Sequence, residues 1–328
     1  MSNSSARHGR YWPHRALSPV LGKLCGAGSS HQHFAILNYH RVLPKADPLC
    51  PSIPSQDEFR WQMQLLAETM TPLPLHEAIE RQSKGDLPPR AVCVTFDDGY
   101  ADNADVAYPV LKDYAIAATI FVATAFRHGG QMWNDALINF VRNANSGSYA
   151  INGIPFQLKD NILSRRQSVN EILLAVKHLP MQERQAAVDT LLATSEAITD
   201  NPMMTESQLK QLDKSLISIG AHTVNHPILQ SISDEEALWE ISESRRCLQQ
   251  LLGCDIDLFA YPNGVMEKDF SDKHIEMLKE TGYKAAVTTH KGIVTRSCNR
   301  FLMPRFTPWD KTPARFLGRL LLNYRNRH

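Results

Sequence analysis

Three short segments of the chain set chemically able side chains directly after apolar runs. In Thr95-Phe-Asp-Asp-Gly-Tyr100, two neighbouring carboxylates end the run Ala91-Val-Cys-Val-Thr-Phe96. Adjacent like charges repel unless a cation or a proton resolves the conflict. In Gly220-Ala-His222-Thr-Val-Asn-His226-Pro227, two imidazoles four residues apart can aim ring nitrogens at one point, the usual geometry for a divalent metal. With Asp98 they make a facial ligand set that leaves positions open for water and substrate. The third segment is Phe259-Ala-Tyr-Pro-Asn-Gly264, where Pro262 and Gly264 shape the backbone and an exposed N–H could face an oxyanion. Taken singly, each has an ordinary reading: Asp-Asp-Gly and Pro-Asn-Gly are turn chemistry, and paired histidines can simply lie at a surface. Asp98 and the two histidines together outweigh those readings.

Such residues must be positioned by a scaffold. Apolar runs predict strands at Phe34–Leu37, Ala91–Phe96, Ala118–Val122, Leu216–Ile219, Leu258–Tyr261 and residues 284–288, with helical patterns near 55–70, 104–113, 233–252 and 267–281. Repeated β-α units predict an α/β fold with a parallel sheet and right-handed crossovers, which carries its site at the strand ends. Residues 127–203 break the alternation. They show helical patterns near 133–143, 167–178 and 181–197 and a hairpin at 149–158, and read as a helical insertion. The expected organisation is a loose basic arm at 1–30, a barrel-like domain at 31–310 that includes the 127–203 insertion, and a basic amphipathic helix at 311–328.

Composition narrows the function classes. The 328 residues are 43% hydrophobic and 21% charged, a globular balance, and the net charge of +1 gives no support to a nucleic-acid partner. The ends are basic: Arg7, Arg10, Arg15 and Lys23 precede any acid, and Lys311, Arg315, Arg319, Arg325 and Arg327 follow the last one. Six cysteines without a Cys-x-x-Cys pair exclude common zinc-ribbon and thioredoxin spacings and suit a reduced, cytoplasmic setting. No secretory signal or membrane-spanning run is expected. Phe316, Leu317, Leu320 and Leu321, set among arginines, could rest on the inner face of an anionic membrane. Packing of that face on the barrel is the commoner fate of such a helix.

In their order and spacing, Thr95-Phe-Asp-Asp-Gly99, His222-x3-His226 and Tyr261-Pro-x-Gly264 resemble the polysaccharide deacetylase family, the NodB-homology domain of carbohydrate esterase family four. The resemblance covers residues 34–126 and 204–310 well, 127–203 poorly and the termini not at all. It implies a distorted (β/α) barrel of about seven parallel strands with a metal at its mouth. Residue by residue, it implies Asp97 as catalytic base and Asp98, His222 and His226 as ligands of one divalent ion. Zn2+ is the default, and Co2+, Ni2+ or Fe2+ would also suit such a set. It further implies the backbone N–H of Tyr261 as oxyanion donor.

Two positions depart from the family pattern. Phe259 stands where many members carry an arginine that braces the base, and no Leu-His motif follows the third segment to supply a general acid. His290 falls near that place, but in the different context Thr288-Thr-His-Lys291. Leu37-Asn-Tyr-His-Arg41 resembles the Tyr-His element of the subgroup acting on poly-N-acetylglucosamine, which makes His40 the candidate acid. Arg305, in Met303-Pro-Arg-Phe306, is the candidate replacement brace. Trp133 is either a stacking platform for a sugar ring or a core anchor.

The implied reaction is removal of an N-acetyl group from a saccharide with release of acetate, and no protein partner is implied. Two rival readings are a hydrolase of another C–N bond, such as a formamide or cyclic amide, and a non-catalytic carbohydrate-binding protein.

Overall fold

The computed structural model describes residues 32–195 and 200–325; the arm expected at 1–30 and residues 326–328 lie outside them. Strand β1 (Ala35–Tyr39) is followed by α1 (Gln56–Thr69), β2 (Thr71–Pro72), α2 (Leu75–Lys84) and β3 (Ala91–Phe96). A π turn at Asn103–Ala107 leads into α3 (Tyr108–Asp113) and β4 (Ala118–Val122). Next come α4 (Trp133–Asn143), the hairpin β5 (Gly147–Ile151) and β6 (Ile154–Leu158), α5 (Ile162–Val176), α6 (Met181–Leu192) and α7 (Glu206–Gln211). The chain continues through β7 (Ile217–Ala221), α8 (Asp234–Leu252), β8 (Leu258–Ala260), α9 (Asp272–Glu280), β9 (Ala285–Val287) and α10 (Pro313–Arg325).

Local chemistry sets the boundaries. Ser55 caps α1 by accepting the Glu58 N–H while the Glu58 carboxylate accepts the Ser55 N–H, and Ser233 and Glu236 repeat the device at α8. The β5–β6 hairpin turns on Asn152 and Gly153, both at positive φ, as a two-residue Asn-Gly loop requires. α9 begins later than the periodicity predicts, because Met266 bridges Phe270 and Ser271 then caps the helix.

Seven of the described strands form one parallel sheet in the order β1-β3-β4-β7-β8-β9, with β2 beside β3. The gap between β9 and β1 is filled by an irregular segment. Val287 bridges Met303 and Leu37 bridges Phe306. Thr288 N–H donates to the Met303 carbonyl at 2.9 Å and Phe306 N–H to the Ile36 carbonyl at 2.7 Å. Residues 303–306 thereby close the sheet into a distorted (β/α) barrel.

Side-chain alternation along each strand divides the core in two. Ile36, Cys93, Phe121, Leu258, Ala260, Val287 and Met303 pack in one cluster. Leu37, Val92, Val94, Phe96, Ile120 and Phe259 pack in another with the helices, through residues such as Phe59, Met63 and Val110. Strand spacing is tight at Gly220, where a Cβ would meet the Phe121 ring at 2.5 Å and the Leu258 carbonyl at 3.0 Å. α4, α5, α6 and the hairpin share a further cluster that includes Leu137, Phe140, Ile172 and Val188.

The apolar face of α10 is occupied. Phe316, Leu320 and Tyr324 are buried in the outer core, Phe316 meets Trp61 edge-on, and the Tyr324 hydroxyl donates to the Ala91 carbonyl. That burial agrees with the commoner fate of such a helix, its leucine stripe packed on the barrel, while Arg319 pairs with Asp310 at 2.6 Å. No helix among the described residues is long and apolar enough to cross a membrane. Phe316→Ala should therefore cost about 3–5 kcal/mol in chemical denaturation, the range for a truncated core aromatic. An unchanged midpoint would return the helix to the surface.

Candidate active site

The site gathers at the C-terminal ends of β3, β7 and β8. β3 carries Cys93, Thr95 and Asp97 on alternate positions, and the Asp97 N–H extends the ladder by donating to the Tyr39 carbonyl at 2.9 Å. The chain then turns through two left-handed residues, Asp98 at φ +75° and Gly99 at φ +84°. Asp tolerates that region better than most side chains. The turn sends the two carboxylates to different partners.

Asp97 is 2% exposed and meets Arg305, whose side chain is fully buried. Nη1 and Nη2 each donate to one carboxylate oxygen at 2.7 Å, and Nε donates to the Thr288 carbonyl at 2.8 Å. Burial by itself would raise the Asp97 carboxyl, but the guanidinium outweighs it and holds the group below the ordinary carboxylate range. The structure thus sets Arg305 against Asp97, from the closing segment. Phe259 instead packs against Tyr261 and Tyr283.

Asp98 meets the histidines. Its Oδ1 lies 3.4 Å from Nε2 of His222 and 3.4 Å from Nε2 of His226, and it has no hydrogen-bond partner although it is buried. His222 Nδ1 donates to the Ala260 carbonyl at 2.7 Å. A carbonyl only accepts, so the proton sits on Nδ1 and the Nε2 lone pair is free to face Asp98. Burial pushes His226 down to about 4, so its ring is neutral at pH 7, as a metal ligand must be. Burial opposes charge on His222 as well, but the neighbouring Asp98 and Asp97 carboxylates more than offset it and the group sits above its ordinary value. One ligand atom from each of Asp98, His222 and His226 lies within 4.8 Å of the others. An orphaned carboxylate oxygen facing two imidazole nitrogens is a donor set that fits one divalent ion.

The loop bearing the histidines is pinned from below. Thr223 and His226 both hold positive φ, and the Thr223 hydroxyl accepts the His226 N–H at 3.1 Å. Buried Glu240 of α8 accepts the Val224 and Asn225 N–H groups at 2.7 and 2.9 Å and the Asn225 side-chain amide at 2.7 Å. Sequence reading missed this positioning residue, because a glutamate in an amphipathic helix carries no mark of what it will face.

The remaining candidates fall at different places. His40 is 48% exposed at the cleft edge, with Nε2 4.0 Å from Asp97 Oδ2. His290 is turned away and accepts the Met266 N–H at 3.2 Å. Trp133 lines the same cleft of about 360 Å3 as Asp97, Asp98 and both histidines, with Arg184 over its ring. The Tyr261 N–H donates to the Val287 carbonyl at 3.3 Å. That contact carries the pairing of β8 with β9 one residue past Ala260, to the end of the strand expected at Leu258–Tyr261.

A second cavity of about 630 Å3 adjoins the first, sharing His40, Asp98 and Asn134. Between them Arg41 bonds Asp102 at 2.7 Å, approaches Asp135 at 3.7 Å and stacks on Tyr100. Burial pushes the Asp135 carboxyl up to about 6.

The family profile described as Polysaccharide deacetylase matches residues 84–143 and 179–286. The chain belongs to the polysaccharide deacetylase family. Among relatives of this family, YxkH of Bacillus subtilis, designated a polysaccharide deacetylase, is 21% identical over 270 residues, 82% of this chain and 69% of that protein. The poly-β-1,6-N-acetyl-D-glucosamine N-deacetylase of Staphylococcus epidermidis is 40% identical over 102 residues. That match spans only 27% of this chain and 35% of the enzyme. The fold is shared with Streptococcus pyogenes deacetylase PplD in complex with acetate, at TM-score 0.61 and 22% identity over 88% of this chain and 98% of that one. It is shared too with IcaB from Ammonifex degensii, at TM-score 0.57 and 19% identity over 89% and 97%.

Two measurements check the electrostatics. Arg305→Met should cost about 3–5 kcal/mol by leaving Asp97 buried and unpaired, and the Asp97→Asn, Arg305→Met double variant should cost less than the single change. Equal losses would mean that the pair does not act as a unit. Separately, the raised Asp135 group binds more protons folded than unfolded between about pH 4 and 6, so its contribution to stability falls as pH rises through that window. Asp135→Asn should gain stability relative to wild type from pH 4 to pH 7 in thermal unfolding, and a constant difference would refute the assignment.

Proposed function

We propose that the protein is a metal-dependent hydrolase that removes N-acetyl groups from a saccharide built on N-acetylated amino sugars, releasing acetate. The observation that carries the reading is the convergence of Asp98, His222 and His226 beside a carboxylate, Asp97, held by a buried guanidinium. The name of the Staphylococcus epidermidis relative supports N-acetylglucosamine as the sugar.

Asp98, His222 and His226 would hold the ion, Zn2+ by preference, which supplies Lewis acidity toward water and the amide carbonyl. The protein's own groups do the rest. Asp97, kept ionised by Arg305, accepts the proton of the attacking water. The bidentate contact fixes both carboxylate oxygens and keeps the base from turning toward the ligands. His40 stands at the open edge and hands a proton to the departing amine, a poor leaving group without one. Trp133 offers an aromatic face to the sugar, and residues 127–203 shape which saccharide enters.

Acetate release from N-acetylglucosamine oligomers should stop on chelation and return with added Zn2+. The purified protein should carry about one divalent ion per chain. His222→Ala and His226→Ala should lose both ion and activity, whereas Asp97→Asn should keep the ion and lose the reaction. His40→Ala should keep ion and fold and lose about a hundredfold or more in turnover. A full complement of metal in the double histidine variant, or chelator-resistant acetate release, would overturn the reading.

A further inference from the structure

The reaction leaves one wall of the cleft without a role. Arg184 of α6 and Lys177, just past α5, line the same cavity as Asp97, Asp98 and the two histidines. Arg184 is only 6% exposed. Its guanidinium lies 4.9 Å from the Trp133 ring centroid and makes one hydrogen bond, at 3.4 Å, to the Lys177 carbonyl.

Every other buried or half-buried arginine near this cleft has a carboxylate: Arg305 has Asp97, and Arg41 has Asp102 and Asp135. Among the described residues no acid pairs with Arg184, and none pairs with Lys177. Burial lowers the Arg184 guanidinium from its ordinary value with no acidic neighbour to offset the cost. A buried cation without a counter-charge costs several kcal/mol unless something compensates it. The Trp133 face compensates part. Most of the guanidinium's five N–H donors are left for a partner that enters the cleft, and their fork matches a phosphate or a carboxylate.

We propose that Arg184 and Lys177 form an anion subsite, so that the preferred substrate is an acetamido saccharide bearing a phosphate or carboxylate on or beside the sugar that is deacetylated. This rests on the deacetylase reading above. It gives residues 127–203 a definite purpose, in which α5 and α6 read a charge while the barrel does the hydrolysis.

The test uses the metal-loaded full-length protein and three substrates: a neutral N-acetylglucosamine disaccharide, the same disaccharide carrying a phosphate, and one in which the neighbouring sugar is a uronic acid. At least one anionic substrate should show kcat/KM about tenfold to a hundredfold above the neutral one, the value of a charge-assisted contact, and the preferred arm tells phosphate from carboxylate. Arg184→Gln and Lys177→Gln should erase that ratio through KM and not kcat. Arg184→Lys, which keeps the charge, should retain part of it, and Lys177→Gln at a half-buried position decides the matter if Arg184→Gln does not fold.

Equal turnover of all three substrates, or variants that depress neutral and anionic substrates alike, overturns the subsite and leaves the deacetylase standing. Absence of acetate from any substrate overturns the deacetylase instead. The subsite is then judged by inorganic phosphate and glucuronate titrated against thermal unfolding of the chelator-treated full chain. A rise in Tm that Lys177→Gln abolishes supports it, and no rise overturns it.

Discussion

Two carboxylates side by side at the end of a buried strand can both stay ionised only if each finds its own positive partner. Asp97 and Asp98 are 2% and 5% exposed, so water cannot separate their charges. The fold answers the two halves of that problem with unrelated parts of the chain. Arg305 takes Asp97 from the closing segment, and the His222 loop takes Asp98 from β7. The left-handed turn at Asp98 and Gly99 makes the division possible, because an extended continuation of β3 would leave the carboxylates competing for one environment. A carboxylate clamped by a guanidinium and one that faces two imidazoles can then be neighbours in sequence.

The loop geometry follows from the same requirement. Asp98, Thr223 and His226 all hold conformations that cost a residue with a side chain of order 1 kcal/mol or more. Such positions persist where surrounding contacts over-determine them, and Glu240 supplies three of those contacts from a helix that touches no reacting group. The Ala260 carbonyl performs a similar service for the His222 ring. Barrel strands therefore do two jobs at their C-terminal ends: they carry the polar side chains, and their backbone orients those of a neighbouring strand.

Much of this was legible in the residues. Ala91–Phe96 and Ala118–Val122 are strands because their apolar runs are unbroken, and α4 starts and stops where the pattern around Trp133 and Asn143 says. The motifs stand after strands as their flanking sequence requires. Illegible features have physical reasons. α2 lies between prolines and shows few apolar residues, so its period is faint, and only its buried Leu75 and Ala78 anchor it. Met303-Pro-Arg-Phe306 has no strand signature because it bonds to its neighbours through isolated bridges and not a ladder. Its arginine could be named as a brace, but its complete burial could not be read. The engagement of the Tyr261 N–H depends on how far one ladder extends, a tertiary matter that no local pattern encodes. Arg184 belongs to no motif at all, since only packing of α6 beside Trp133 brings it to the cleft.

The ion pair that sets the state of Asp97 joins positions 208 residues apart. During synthesis Asp97 and Asp98 emerge early, followed by the insertion, the histidine loop and the elements after it, before residue 305 appears. Until the closing segment is seated between β9 and β1, the barrel is open along one side and the Asp97 carboxylate has no guanidinium. Contacts of such sequence separation form late, because loop closure must precede them. A ribosome-bound chain that has reached only about residue 300 can therefore bring Asp98, His222 and His226 together while the neighbouring carboxylate is still unpaired. The order of the chain makes assembly of the imidazole–carboxylate cluster and neutralisation of its neighbour separable events in time, with neutralisation arriving last.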